Sequence, residues 1–109
     1  MDLHRSALLV VDMQNAFAKA GGMLDLAGAD ISGADSVIEV NQRLVSAARN
    51  AGVTIVFLAM TYKPDLSDVG GLSSPNYHKE LGLKLMRRHP SLRENYLSMV
   101  PGIGRSLMN

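Results

Sequence analysis

The sequence predicts an α/β fold with a parallel sheet, and three observations carry that prediction. Two short apolar runs, Ala7 to Val11 and Val53 to Met60, have the length of buried strands. The stretch between them contains apolar residues at helical spacing. Because a strand, a helix and a second strand in this order normally form a right-handed crossover, the two strands should be parallel, with their carboxyl ends at one edge.

The first half of the sequence predicts a strand, a loop and a long helix. Ala7 to Val11 is apolar without alternation, as expected when both faces of a parallel strand are covered. From Ala18 to Ala34 the chain is rich in glycine and other small residues, which predicts an irregular loop. Ser36 and Glu39 indicate a capping box at the start of the helix, and Gly52 should end it. The predicted buried stripe of this helix consists of Val37, Val40, Asn41, Leu44, Val45 and Ala48.

The second half begins with the strand Val53 to Met60. A polar loop follows from Thr61 to Ser73 and should lie over the edge where both strands end. Ser74 is a good helix N-cap and Pro75 suits the first helical position, so a helix should run from there until Pro90 stops it.

The segment after Pro90 predicts less regular structure. Leu92 to Val100 fits a short helix, and Pro101 followed by glycine should end it. Residues 105–109 are then expected to form a tail.

Composition limits the classes of partner. The chain has 109 residues, of which 47% are hydrophobic, and a formal net charge of +1. That length suits one domain, and so small a charge gives no electrostatic reason to expect a nucleic acid or a membrane surface as partner. The amino-terminal apolar run is too short for a signal peptide, so we expect a cytoplasmic protein.

Residue types also limit the chemistry. The sequence contains no cysteine, which excludes disulfides, thiolate metal sites and a cysteine nucleophile within these residues. The histidines show no spacing that places two imidazoles on one helix face. We therefore expect neither a metal site nor a cofactor.

Asp12 is the leading functional candidate from its position alone. It follows the first strand directly, so the strand delivers its carboxylate to the edge where open α/β sheets bind ligands. The alternative is an aspartate that only caps the turn after the strand. Gln14 and Asn15 are expected to orient the loop through side-chain hydrogen bonds, unless both amides merely cap turns, and Phe17 is expected to form an apolar pocket wall.

Two motifs resemble a known family. The first runs from Leu9 to Phe17 (LVVDMQNAF), and the second combines Gly70 to Lys79 (GGxxSPNYHK) with Leu85 to Pro90 (LMRRxP). The first resembles the isochorismatase-like cysteine hydrolases. Within them, the second is most similar to the ureidoacrylate amidohydrolases of pyrimidine degradation. The resemblance covers about residues 6–97.

The resemblance implies a Rossmann-like three-layer α/β/α hydrolase with a parallel sheet. Residues 1–109 would form a single partial domain of that fold, a βαβ unit plus the following helix. In the family an aspartate, a lysine and a cysteine form the catalytic triad, and Asp12 matches the aspartate. There the aspartate accepts the thiol proton, the lysine favours the thiolate, and the sulfur attacks a carbonyl to form an acyl intermediate. The family's lysine and cysteine would lie beyond Asn109, and no lysine of this chain matches the triad motif.

Further site residues also come from the resemblance. Ser74 and Asn76 match substrate-contacting positions of the ureidoacrylate group, although an N-cap role is a sufficient alternative for Ser74. Tyr62 and Asp68 lie on the loop that would overhang the same sheet edge.

The function implied by the resemblance is the amino-terminal part of an amidohydrolase that cleaves linear carbon–nitrogen bonds of a ureido or carbamoyl substrate. Without a cysteine, this chain alone should be inactive. One alternative is a catalytically silent association module, and a less favoured one is a metal-dependent nicotinamidase-like enzyme. Because two strands leave an apolar sheet edge open, we expect the chain to form a homo-oligomer or to pair with the missing carboxy-terminal half.

Overall fold

A computed structural model describes residues 1–96 and 98–103 of the chain. Within them, strand β1 (Ala7–Val11) and strand β2 (Thr54–Leu58) pair in parallel to form a two-stranded sheet. The predicted parallel pairing is confirmed. β2 is shorter than the predicted run from Val53 to Met60. Beyond its carboxyl end, the Met60 N–H donates to the Gln14 side chain and not to a neighbouring strand.

Helical segments surround this sheet. In the described residues they are a 3₁₀ turn at Leu3–Arg5, α1 at Asn15–Ala18, α2 at Met23–Leu26, α3 at Ala34–Asn50, α4 at Pro75–Lys79, α5 at Leu81–Arg88 and α6 at Leu92–Asn95. The connection from β1 to β2 runs through α1, α2 and α3, which gives an incomplete Rossmann-like α/β fold. None of these helices is long and apolar enough to cross a membrane.

One face of the sheet packs against α3 and the last described residues. The buried side chains of this first apolar cluster are Val10, Ile38, Val45, Val100 and Ile103. On the opposite face, Leu9 and Val11 of β1 are 57% and 54% exposed. The expectation that both faces of β1 are covered is therefore wrong for this chain, because the described residues supply a helical layer on one side only.

The start of α3 differs from the prediction. The helix begins at Ala34, and Gly33 occupies the N-cap position, because the Gly33 carbonyl already accepts the first helical hydrogen bond, from Val37 N–H. Ser36 lies inside the first turn, where its hydroxyl donates to the Gly33 carbonyl at 2.9 Å. The capping box of Ser36 and Glu39 is therefore wrong.

The buried side of α3 also differs in part. Val45 of the predicted stripe is fully buried, and Ile38, outside that stripe, is 5% exposed. The other large apolar members of the stripe are half exposed: Val37 at 51%, Val40 at 51% and Leu44 at 50%. A two-stranded sheet is too narrow to cover the whole stripe, so its apolar residues extend past the sheet.

The segment predicted as an irregular loop from Ala18 to Ala34 contains the helix α2. Met23 of this helix is 3% exposed and belongs to a second apolar cluster. Gly22, which precedes it, lies so close to α1 that a Cβ atom there would overlap the Asn15 carbonyl. The rule that predicts a loop from small residues takes no account of such a tertiary contact.

The helix predicted from Ser74 to Pro90 is in fact two helices. Glu80 separates α4 from α5 with an extended backbone, at φ −71° and ψ 122°. Its carboxylate then caps α5 by accepting a hydrogen bond from Leu83 N–H at 2.6 Å. The predicted end before Pro90 is confirmed, since α5 ends at Arg88.

The segment after Pro90 returns to the end of β1. α6 ends at Asn95, so the helix expected over residues 92–100 is wrong in its second half, where Met99 forms an antiparallel bridge with Gln14. Tyr96, directly after α6, is 1% exposed and belongs to the second apolar cluster. The tail expected over residues 105–109 lies outside the described residues.

Candidate active site

Asp12 lies at the carboxyl end of β1, where the sequence placed it. Its N–H donates to the Leu58 carbonyl at 2.9 Å, which extends the contact between the two strands by one residue. The backbone then turns sharply, because Asp12 has a φ of 57°, in the left-handed region. The Asp12 carbonyl closes the turn by accepting from Gln14 N–H at 2.8 Å. The turn therefore does not require the Asp12 carboxylate, and the residue is exposed.

Asp12 borders an open cleft of ≈ 380 Å³. Phe17 of α1 and Leu24 of α2 contribute apolar lining. A second carboxylate in the lining, Asp30, accepts a hydrogen bond from Ser32 N–H at 2.9 Å, which lowers the pKa of Asp30 below its ordinary value. The structure thus brings the predicted carboxylate and the predicted apolar wall to one cleft.

Gln14 connects the ends of the two strands. Its side chain is fully buried, at 0% exposure. The amide nitrogen donates to the Met60 carbonyl at 2.8 Å and to the Tyr96 carbonyl at 2.6 Å, and the amide oxygen accepts from Met60 N–H at 2.9 Å. These bonds join the ends of β1 and β2 to the segment after α6. All of them go to backbone, which fits a positioning role better than direct contact with a ligand.

Asn15 and Phe17 hold α1 against the last part of the described chain. The Asn15 N–H donates to the Ser98 carbonyl at 2.8 Å, and its side-chain amide donates to the Met99 carbonyl at 3.4 Å. The Phe17 ring packs edge-to-face on Tyr96, with 5.7 Å between the ring centroids. Phe17 therefore contributes to the second apolar cluster as well as to the cleft.

The loop after β2 is organised by three of the predicted site residues. The Tyr62 hydroxyl donates to Asn76 Oδ1 at 3.3 Å, and the Asn76 amide donates to the Val69 carbonyl at 3.1 Å. Asp68 accepts a hydrogen bond from Lys63 N–H at 3.0 Å. Tyr62 and Asn76 therefore contact each other directly, while Asp68 is exposed and fixes the loop between them.

Ser74 lies at the N-cap position of α4, as predicted, but its hydroxyl makes no capping hydrogen bond in the described part of the chain. Capping therefore does not account for the serine side chain. Gly70, with a φ of 84°, lies against it, and a Cβ atom at Gly70 would be 2.9 Å from Ser74 Oγ. Glycine at this position leaves room for the hydroxyl.

Tyr96 connects the two groups of site residues, and the sequence did not predict it. Its ring centroid lies 5.7 Å from that of Phe17 and 6.5 Å from that of Tyr62. Burial raises the pKa of Tyr96 above its ordinary value, and nearby Glu80, Tyr62 and Asp12 raise it further. No local signal in the sequence indicates this role, because the aromatic partners of Tyr96 are 34 and 79 residues away along the chain.

The site lacks part of the chemistry that the resemblance implies. The sequence has no cysteine, so these residues supply no thiolate. Lys19 forms an ion pair with Asp35 at 3.5 Å, and Lys63 is exposed on the loop after β2. Residues 1–96 and 98–103 contain no group of three or more His, Cys, Asp or Glu side chains that could hold a metal ion.

Comparison with known proteins identifies the family. Residues 6–101 match the isochorismatase domain. Ureidoacrylate amidohydrolase RutB of Methylorubrum extorquens is 47% identical over 97 residues, which cover 89% of this chain and 39% of that protein. The protein of the same name from Cronobacter sakazakii is 51% identical over 94 residues, covering 86% and 40% respectively. The chain thus spans about two fifths of the length of these relatives. Because the match covers most of this sequence, the chain belongs to the isochorismatase domain family.

Proposed function

We propose that this chain is the amino-terminal part of a cysteine amidohydrolase acting in pyrimidine degradation. Its substrate would be a ureido or carbamoyl compound such as ureidoacrylate, in which a linear carbon–nitrogen bond is hydrolysed. The observation that carries this proposal is the exposed Asp12 residue, which β1 delivers to a cleft walled by Phe17. The identity of 47% and 51% to proteins named ureidoacrylate amidohydrolase supports the substrate class.

In the proposed reaction Asp12 accepts the proton of a cysteine thiol. The resulting thiolate attacks the substrate carbonyl carbon, the carbon–nitrogen bond breaks with protonation of the leaving nitrogen, and water hydrolyses the acyl-enzyme. A lysine near the sulfur would favour the thiolate. The cysteine and this lysine belong to polypeptide outside these 109 residues, because the chain has no cysteine and none of its lysines matches the motif.

The remaining site residues are proposed to bind or to orient the substrate. Phe17 offers an apolar wall, and Gln14 and Asn15 hold the cleft in shape through bonds to backbone. Tyr62 and Asn76 offer a hydroxyl and an amide from one hydrogen-bonded unit.

Asp68 and Ser74 complete the proposed substrate surface. Asp68 would act through the loop conformation, because its carboxylate accepts the Lys63 N–H. Ser74 has a hydroxyl that is not used as a helix cap. A ureido group carries both N–H donors and a carbonyl acceptor, so carboxylate, hydroxyl and amide groups together suit it.

Alone, the chain is proposed to be inactive and to act in association, either as a homo-oligomer or with a complementary half. A cytoplasmic location belongs to the same proposal, and cell fractionation tests it. The second candidate function is a catalytically silent association module, which the missing cysteine and the exposed side chains of Leu9 and Val11 favour.

A chimera tests the proposed activity. Residues 1–101 of this chain are joined to the part of the Cronobacter sakazakii relative that follows its matched region, and consumption of ureidoacrylate is followed by chromatography. The chimera should hydrolyse the substrate, and Asp12→Asn should lower the rate at least about 100-fold, because the proton acceptor is lost. Asp2→Asn, at the start of the 3₁₀ turn that precedes β1 and away from the cleft, is the matched control and should leave the rate unchanged. Full activity in a folded Asp12→Asn chimera would contradict the proposal.

A further inference from the structure

Tyr96 packs against two aromatic side chains of the candidate active site. Its ring plane is inclined at 81° to that of Phe17 and at 36° to that of Tyr62, with 5.7 Å and 6.5 Å between the ring centroids. Phe17 belongs to α1 and lines the cleft that Asp12 borders, whereas Tyr62 lies on the loop after β2. Tyr96 itself is buried, so it can influence a molecule in the cleft only through such neighbours.

Contacts at both ends of the residue hold the Tyr96 ring in place. The Tyr96 carbonyl accepts a hydrogen bond from the Gln14 side-chain amide at 2.6 Å, and the Tyr96 hydroxyl donates to Met60 Sδ at 3.3 Å. Gln14 follows β1 and Met60 follows β2, so the ring is attached to the edge where both strands end. An edge-to-face contact has a preferred geometry, and a fixed Tyr96 ring therefore restricts the orientation of Phe17.

Gly82 of α5 leaves the space that the Tyr96 hydroxyl occupies. A Cβ atom at Gly82 would lie 2.8 Å from the hydroxyl oxygen, 2.9 Å from Met23 Sδ and 3.0 Å from Glu80 Oε2. The first of these distances is too short for a non-bonded contact, so alanine at this position would displace the hydroxyl. The position of the Tyr96 ring can thus be changed from a residue on a different helix.

We propose that Tyr96 is a positioning residue for substrate binding, which holds the Phe17 wall of the cleft at a fixed place relative to Tyr62. The inference rests on the proposed function, because it takes Phe17 and Tyr62 as surfaces that contact the ureido or carbamoyl substrate. Asp12 is held separately, by β1 and by the bond from its N–H to the Leu58 carbonyl. The Tyr96 side chain should therefore affect substrate binding and leave proton transfer to Asp12 nearly unchanged.

Nuclear magnetic resonance of the 109-residue chain tests this coupling without an activity assay. Gly82→Ala should shift the ring-proton signals of both Phe17 and Tyr62, because the displaced Tyr96 ring changes the packing of each. In Gly82→Ala combined with Tyr96→Phe, both signals should match those of Tyr96→Phe alone, since the hydroxyl that the new Cβ would meet is absent. Lys84→Ala, at an exposed position of the same helix, is the matched control and should leave both signals in place.

Kinetics of the chimera test the consequence for the substrate. Tyr96→Leu keeps the carbonyl that Gln14 binds but removes the aromatic contacts, so it should raise KM for ureidoacrylate at least about 10-fold and change kcat less than about 3-fold. Tyr96→Phe keeps the ring and should hold KM within about 2-fold of the unaltered chimera. Val45→Ala leaves a cavity in the first apolar cluster and controls for a general loss of packing, so its KM should be unchanged. Circular dichroism checks that each variant folds.

The outcomes separate this inference from the proposed activity. Phe17 and Tyr62 signals that stay in place in Gly82→Ala, or that stay displaced after Tyr96→Phe is added, would overturn the inference whether or not the chimera is active. Signals that move as expected beside an inactive chimera would support the positioning by Tyr96 and contradict the proposed function. An active chimera in which Tyr96→Leu lowers kcat and leaves KM unchanged would also overturn the inference, and this test is independent of whether Gly82→Ala folds.

Discussion

The Gln14 side chain should be one of the main determinants of stability in this chain, and Gln14→Leu tests this. Leucine has a similar volume and keeps the site apolar, but it cannot make the three hydrogen bonds of the amide. Two of these bonds involve Met60, at 2.8 Å and 2.9 Å, and the third reaches the Tyr96 carbonyl at 2.6 Å. The substitution thus leaves backbone groups of two other segments without their side-chain partner.

The expected loss follows from these bonds. Each contributes about 0.5–1.5 kcal/mol net, so three correspond to about 1.5–4.5 kcal/mol of the free energy of unfolding. Burial favours the upper part of that range, because Gln14 is 0% exposed and water cannot easily replace the amide. A loss of this size is a large fraction of the about 5–15 kcal/mol that stabilises an ordinary domain.

Urea denaturation followed by circular dichroism measures the effect. The matched control is Gln42→Leu on α3, because within residues 1–96 and 98–103 the Gln42 side chain makes one exposed hydrogen bond, to the Pro101 carbonyl at 2.8 Å. That variant should lose no more than about 1 kcal/mol. A Gln14→Leu chain that is as stable as the Gln42→Leu chain would refute the role assigned to Gln14.

Three further predictions concern single positions. Gly22→Ala should lower the free energy of unfolding by about 1–3 kcal/mol because its Cβ would overlap α1, whereas Gly33→Ala, with no atom within 4 Å of the new Cβ, should be nearly neutral; equal denaturation midpoints would contradict this. Because the pKa of Tyr96 is raised on folding, its contribution to stability is present below the ordinary pKa of 10.0 and lost as the pH rises above it. Urea titrations between pH 8 and 12 should therefore show a smaller alkaline loss for Tyr96→Phe, and an identical loss would contradict the burial of the phenol. Asp12→Gly should stabilise the isolated chain by about 0.5–1 kcal/mol, because glycine adopts the φ of 57° without strain, and a lower thermal midpoint would count against that strain.

The strands and the long helix were predictable because their signals are local. The apolar runs of β1 and β2 are typical of strands in a parallel sheet. Gly52 follows the C-cap of α3 with a φ of 70°, the left-handed conformation that favours glycine at the end of a helix. Asp12 was predictable for the same reason, since the end of a strand is fixed by the strand itself. The break at Glu80 was missed, because an extended residue between two helices leaves no gap in the apolar spacing.

The connections within the site were not predictable, because they join residues far apart in sequence. Gln14 bonds to Met60 and Tyr96, and nothing near any of these residues in the sequence indicates the contact. Tyr96 follows a four-residue helix in a segment where proline and glycine signals dominate. The exposure of Val37 was missed for another reason: apolar spacing identifies a buried stripe, but the width of the sheet decides how much of it is covered.

The central proposal is that Asp12 is the proton acceptor for a cysteine sulfur outside these 109 residues, and one distance tests it most directly. An experimental structure of the chimera gives the separation between the Asp12 carboxylate oxygens and the sulfur of the nucleophilic cysteine in the joined segment. We expect the nearest oxygen within about 4 Å of that sulfur, close enough for a hydrogen bond that tightens during reaction. A separation of more than about 7 Å, with the Asp12 carboxylate directed away from the cleft, would contradict the claim.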